Sequence, residues 1–140
     1  MLRIKVVLDV NILISAIFSF TGGAHKIVDF ALDKKIKIYT SLEILKELEE
    51  KLRDKFKQDE SFIERQVSLI LNYAELIEPK LELNIIEKDP DDNKFLECAL
   101  ESDADFIITR DHHLLDLKNY ENILIVDPAE FLEIFRNKFN

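Results

Sequence analysis

The sequence predicts an α/β fold, a three-layer α/β/α sandwich with a central parallel sheet. Three observations predict it. Short apolar, β-branched runs alternate along the chain with stretches of helical periodicity, the pattern of a parallel sheet whose crossovers are helices. Several of these runs are apolar at successive positions, as strands covered on both faces must be. Only 2 Gly and 3 Pro occur in 140 residues, so connections are short and most of the chain is regular.

The elements follow in order. Residues 3–9 read as a buried strand, short and apolar on both faces. Residues 11–20 are apolar and helical, ending at Thr21-Gly22-Gly23, which reads as a loop. Residues 24–34 form a second helix, with Ile27, Val28, Ala31 and Leu32 on one face. Ile36 to Thr40 alternates as a strand, and Ser41 is placed to cap the helix that follows through about residue 55, marked by Leu42, Leu45, Leu48 and Leu52. Val67, Ile70, Leu71 and Ala74 mark a further helix starting near Phe62, and Leu76-Ile77 a short strand. Asp89-Pro90-Asp91-Asp92 is a helix-start signature, since Pro suits the first turn and acids there favour the helix dipole. Phe95, Leu96, Ala99 and Leu100 give that helix its apolar face. Ala104 to Thr109 is a strongly apolar strand, followed by a short helix near His112 to Leu117, a last strand Ile123 to Val126 and a final helix buried through Phe131, Leu132 and Phe135. No repeat, linker or low-complexity stretch interrupts this order, and residues 1–140 read as one domain.

Composition narrows the function classes. Hydrophobic residues at 47% supply a core, and charged residues at 34% a well-solvated surface. No uncharged stretch reaches the roughly 18 residues of a membrane span, and the N-terminal residues lack the apolar region of a secretory signal. The single Cys98 forms no internal disulfide, so a cytoplasmic location is expected. The net charge of −9 argues against a broad nucleic-acid-binding face. It is unevenly placed: residues 1–79 hold 12 Lys/Arg against 13 Asp/Glu, residues 80–140 only 7 against 15. Lys34, Lys35, Lys37, Lys46, Lys51, Arg53, Lys55 and Lys57 fall in one stretch, readable either as a modest basic patch or as solvated helix faces.

Four acids stand out. Asp9 ends the first strand in Val7-Leu8-Asp9-Val10-Asn11, and Asp111 follows Phe106-Ile107-Ile108-Thr109-Arg110. In an open parallel sheet, sites lie beyond the carboxyl ends of strands near the switch in strand order. An acid there is costly unless it is solvated in a cleft, hydrogen-bonded or bound to metal. Each also reads as the cap of the helix that follows. Asp92 precedes an apolar face that turns its helix toward the core, so its carboxylate is better aimed into a cleft than those of Asp89 and Asp91, which read as surface groups. Glu43 and Glu47 are four apart on one helix face, Glu47 at the edge of the buried stripe. Several carboxylates in one cleft repel one another, and holding a divalent metal is the use that relieves this. His25, His112 and His113 read as surface or helix-start residues, and Cys98 as core packing. There is no zinc-ligand pattern, phosphate-cradling glycine loop or Ser-centred nucleophile elbow.

Together these motifs resemble the PIN-domain family. The resemblance is carried by Val7 to Asn11, by Ser41-Leu42-Glu43-Ile44-Leu45-Lys46-Glu47-Leu48, by Asp89 to Ala99, by Ala104 to Asp111 and by the closing Asp127-Pro128-Ala129-Glu130-Phe131-Leu132. It spans essentially the whole chain, and the nearest look is to VapC-like toxins of toxin–antitoxin systems. The resemblance implies a PIN-like, Rossmann-like α/β/α sandwich and a metal-dependent ribonuclease that uses Mg²⁺ or Mn²⁺. It matches Asp9, Glu47, Asp92 and Asp111 to the metal-holding and catalytic acids, preferring Glu47 over Glu43, and Asn11 and Thr109 to the polar residues supporting them. It also implies an RNA substrate, an antitoxin partner and a homodimer.

Two other classes compete. The same fold can serve as a catalytically silent module that binds an antitoxin or an RNA-processing partner, with the exposed helices of residues 41–74 as its surface. Phosphoryl chemistry of the receiver or haloacid-dehalogenase type also places an Asp at the end of the first strand. The second acid that the latter needs two residues later is replaced by Asn11.

Overall fold

In a computed structural model of the chain, residues 3–80, 82 and 90–139 are described. The expected alternation is present. Strand β1 (Ile4–Leu8) leads to helices α1 (Val10–Phe18) and α2 (Gly23–Leu32), and β2 (Ile36–Ser41) to α3 (Leu42–Asp54) and α4 (Glu60–Tyr73). Then come β3 (Ala74–Ile77), a single 3₁₀ turn (Pro90–Asp92), α5 (Asn93–Ser102), β4 (Phe106–Ile108), α6 (His112–Leu115), β5 (Asn119–Tyr120), β6 (Ile123–Val126) and α7 (Pro128–Phe139). Asp89, the first residue of the expected helix start, lies outside the described residues.

The strands form one sheet in the order β3-β2-β1-β4-β6-β5. All neighbours pair in parallel except β5 with β6. The antiparallel edge strand β5 was not expected: two residues, Asn119 and Tyr120, carry no periodicity to read. The chain runs outward from β1 through β2 to β3, then returns to lay β4 on the other side of β1. The strand order therefore switches between β1 and β4, where Leu8 stands opposite Ile108. The residues immediately after that pair, Asp9 and Thr109, share the carboxyl edge of the sheet.

Helix α5 lies against β1, β2, β3 and β4, while α2 packs on α1 and α7, giving helical layers on both faces of the sheet. Val6, Val7, Leu8, Ile107 and Ile108 are almost fully buried between them. Phe95 and Leu96 on α5 and Phe131 on α7 fill the space against the sheet. Phe106 and Phe131 meet edge to face at 5.3 Å. Cys98 is buried on the inner face of α5, as its apolar neighbours predicted, and burial pushes its thiol up to about 12.

Local chemistry sets the helix starts. Ser41 Oγ accepts the Ile44 N–H at 3.3 Å, capping α3 where the sequence placed the cap. Helix α4 begins two residues before the expected Phe62, because Asp59 caps it by accepting the Phe62 N–H at 2.8 Å. Gly23, read as part of a loop, is instead the first residue of α2; a Cβ there would lie 3.3 Å from Leu132 Cδ1 of α7. Among the described residues no helix is long and apolar enough to cross a membrane.

Candidate functional site

The carboxyl edge at the β1–β4 switch opens into a cavity of about 480 Å³. Its walls come from the start of α1, one face of α3, the 3₁₀ turn with the start of α5, and Asp111. Asp9, Glu47, Asp91, Asp92 and Asp111 all line it, with Glu50 and Asp54 of α3, and Lys51 of that helix and Lys55, its C-cap, complete that wall. The four acids singled out from sequence, separated by up to 102 positions, thus meet at one cavity. Glu43 does not line it; it sits exposed in the first turn of α3, one turn away from Glu47. Asp91 is exposed, as expected of a surface group, and borders the cavity at its rim.

Asp9 is both a cap and a cavity residue. Only 3% exposed, it accepts the Ile12 N–H on Oδ1 at 3.0 Å, starting α1. Its Oδ2 accepts the hydroxyl of fully buried Thr109. The two readings of Asp9, cap and site, are therefore not exclusive, since one oxygen serves each neighbour and a carboxylate has about four lone-pair positions. Burial raises its pKa above the ordinary aspartate value. The Thr109 and Ile12 hydrogen bonds oppose that rise, the charge of Asp111 adds to it, and the charge of Lys51 opposes it.

Asp111 repeats the arrangement at lower burial. Its Oδ1 accepts the His113 N–H at 2.9 Å and so caps α6, while its own N–H donates to Thr109 Oγ1 at 2.9 Å. Thr109 is the hinge between the two acids, donating to one side chain and accepting from the other's backbone. A hydrogen bond with the Asp92 carboxyl holds Asp111 below the usual carboxylate range; partial burial works against this, and the His113 amide and the charges of His113 and His112 assist it. Two carboxyls in such contact need one proton between them in the absence of another cation.

Glu47 is held differently. Lys94, at the start of α5, ion-pairs with Glu47 Oε1, and Lys51 approaches Oε2 at 3.3 Å. Asn11 lines the cavity itself, and its Oδ1 accepts from Lys51 at 3.3 Å. These lysines were not singled out as site residues, although the Glu47–Lys51 spacing of four on one helix was a readable signal. Arg110 faces α1 and donates to Ser15 Oγ at 3.2 Å.

The donor set fits a divalent cation. Two ammonium groups offset part of the charge of the carboxylates gathered at one edge, and oxygen-rich sites of this kind suit hard ions such as Mg²⁺ and Mn²⁺. Asp92, Asp111 and His113 bring one ligand atom each within 4.8 Å of one another. His113 lies at a helix start, as its sequence position predicts, and the turn of α6 brings it to the acids.

Comparison with known proteins adds an independent line. A family model described as PIN domain matches residues 5–113. A Methanocaldococcus jannaschii protein, MJ1680, is 37% identical over 147 residues, covering 96% of this chain and 93% of that one. Among solved structures, VapBC2 from Rickettsia felis, crystallised with a DNA fragment from their promoter, superposes with a TM-score of 0.62 at 17% identity, covering 87% of this chain and 97% of the matched chain. At that identity the likeness is one of fold.

Proposed function

The chain belongs to the PIN-domain family, and from that membership we propose that it is a single-domain, metal-dependent endoribonuclease that hydrolyses phosphodiester bonds of single-stranded or structured RNA. One observation carries the reading: Asp9, Glu47, Asp92 and Asp111 border a single cavity at the switch in strand order, the two strand-end acids joined through Thr109.

In this reading Asp9, Asp92 and Asp111 are the ligands of Mg²⁺ or Mn²⁺, and Glu47 is a further ligand or the base that orients the attacking water. A bound ion supplies an activated water and neutralises charge at the phosphate. The chain's own groups do the rest. The hydroxyl of Thr109 and the N–H of Ile12 hold the Asp9 carboxylate in one orientation, as groups behind a metal ligand do elsewhere. The Thr109 oxygen fixes the backbone of Asp111. Lys51 and Lys55 on the cavity wall offer ammonium groups to RNA phosphates. Lys94 and Lys51 pair with Glu47 and would compete with a bound cation for its carboxylate.

The biological role proposed is that of a toxin neutralised by an antitoxin protein, with the chain acting as a homodimer. The fold likeness to VapBC2 supports a protein partner, and the exposed surface of α3 and α4, with Leu42 and Leu69 on it, offers a face for one. A catalytically silent binding module would use the same face, and turnover separates the two.

The test is Asp9→Asn. Asparagine caps a helix as well as aspartate does, so α1 keeps its start while the charge is lost. The variant is expected to fold, to lose Mn²⁺-dependent RNA cleavage, and to lose the metal-induced rise in melting temperature. Wild-type stabilisation should reach about 2.7 kcal/mol at 100 times Kd. A folded Asp9→Asn protein that cuts RNA at the wild-type rate overturns the reading. Tight partner binding with no cleavage of any RNA favours the silent module.

A further inference from the structure

We infer that His113 is a nitrogen ligand of the same ion, giving the site a preference for Mn²⁺ and later first-row ions over Mg²⁺. The inference rests on the reading that the acids hold a divalent cation, and it goes beyond the carboxylate set that the family resemblance supplied.

The geometry comes from the cap of α6. Asp111 Oδ1 accepts the backbone N–H of His113, so residue 113 is fixed two positions beyond the carboxylate and its ring is carried back toward it. Side chains on a helix lean toward its N-terminus, which for α6 is the Asp111 end. The ring Nδ1 lies 3.9 Å from Asp111 Oδ1. The ligand atoms of Asp92, Asp111 and His113 all lie within 4.8 Å of one another. Donors bound to one ion at about 2.1 Å are about 3 Å apart when cis and about 4.2 Å when trans. Closing the observed spread to those values takes a shift of at most about 1.8 Å, and the 40% exposed His113 side chain has room to make it. Its neighbour His112, one residue earlier on α6, is not part of the cluster.

The chemical consequence is selectivity. Mg²⁺ favours oxygen donors and retains its water, whereas affinity at a site containing nitrogen rises from Mn²⁺ through Co²⁺. An imidazole beside Asp92 and Asp111 therefore adds binding free energy for Mn²⁺ and Co²⁺ that Mg²⁺ does not gain.

The experiment is pulsed electron paramagnetic resonance of Mn²⁺ bound to the full chain, with titration calorimetry for Mn²⁺ and Mg²⁺. Wild type and His112→Ala are expected to show modulation from a directly coordinated ¹⁴N. His113→Ala and His113→Gln are expected to lose it, with Mn²⁺ affinity falling about tenfold or more and Mg²⁺ affinity changing far less. Circular dichroism confirms that each variant is folded. If Mn²⁺ binding is abolished by Asp92→Asn but the ¹⁴N signal is absent in wild type or survives both His113 substitutions, the histidine assignment falls and the acidic site stands. If Mn²⁺ binding is indifferent to Asp9→Asn, Asp92→Asn and Asp111→Asn, the metal site and the histidine assignment fall together.

Discussion

At the scale of single residues, Asp9 carries the conflict that defines the site. It is buried, it caps α1, and its pKa is raised chiefly by desolvation. The folded pKa thus stands above that of the unfolded chain. For such a group the stability is fully present below the unfolded pKa and is lost as pH rises through the folded one. The metal-free protein should therefore lose stability over the pH range in which Asp9 ionises, and added Mn²⁺ should restore it, since the ion binds the carboxylate form. Conversely, the Mn²⁺-induced rise in melting temperature should shrink as pH falls through the same range, when protons compete for Asp9. Melts with and without Mn²⁺ across that range check this; a metal-induced shift that does not change with pH would contradict it. Thr109 is the second residue on which the site turns. Thr109→Val keeps the shape but removes the donor to Asp9 and the acceptor of the Asp111 N–H. Two groups lose a partner, which should cost about 1–3 kcal/mol of stability and lower metal affinity by about 10–100-fold, read by denaturant unfolding and calorimetry. The residue pattern exposed Thr109 only as a polar residue ending an apolar strand, and the family resemblance added that it supports the acids. That it links both acids needed the register of β1 against β4.

At the scale of elements, local chemistry explains most of what was legible. The Ser41 cap, the apolar face of α5 and the buried runs of β1 and β4 follow from capping preference and periodicity, which act over a few residues. The departures have equally local causes. Asp59 starts α4 early, and β5 is too short to show a period. With only 2 Gly in the chain, its left-handed positions fall to other residues. Lys34, at the end of α2, has φ 61°, its N–H bonding Ala31 O at 3.0 Å while the Lys35 N–H bonds Phe30 O at 2.8 Å. This hydrogen-bond pattern is the one that favours glycine after a helix. Lys34→Gly removes the Cβ strain and should stabilise the protein by about 1 kcal/mol, raising the melting temperature by about 4 °C. A lower melting temperature would show that the lysine side chain contributes more than the strain it imposes.

At the scale of the whole molecule, charge is the property to reconcile with the proposed substrate. A net −9 disfavours RNA, yet part of that charge lines the cavity, where a cation would offset it, and Lys51 and Lys55 stand on the cavity wall. If those lysines meet phosphates, RNA binding should weaken with salt along a shallow slope, and removing both should reduce the slope by about 1.4 in the logarithmic plot, since each single-strand phosphate contact contributes about 0.7. Binding isotherms of Lys51→Ala/Lys55→Ala against wild type, at several salt concentrations, measure this; an unchanged slope would place the RNA elsewhere. Much of the molecule was determined by sequence alone: the strand–helix alternation, the parallel sheet, the Ser41 cap, and Asp9 and Asp111 as acids at strand ends, while the family resemblance selected Glu47 and Asp92 among their acidic neighbours. Those follow from short-range periodicity and from the cost of placing a charge beside a buried strand, both of which a linear pattern records. Tertiary structure alone decided that β4 lies beside β1, that Asp9 and Asp111 meet through Thr109, that Lys94 and Lys51 claim Glu47, and that His113 turns toward Asp92. These are contacts between residues separated by as many as 100 positions or set by the rotation of a single helical turn. They depend on strand order and register, which packing of the whole sheet selects and no local pattern encodes.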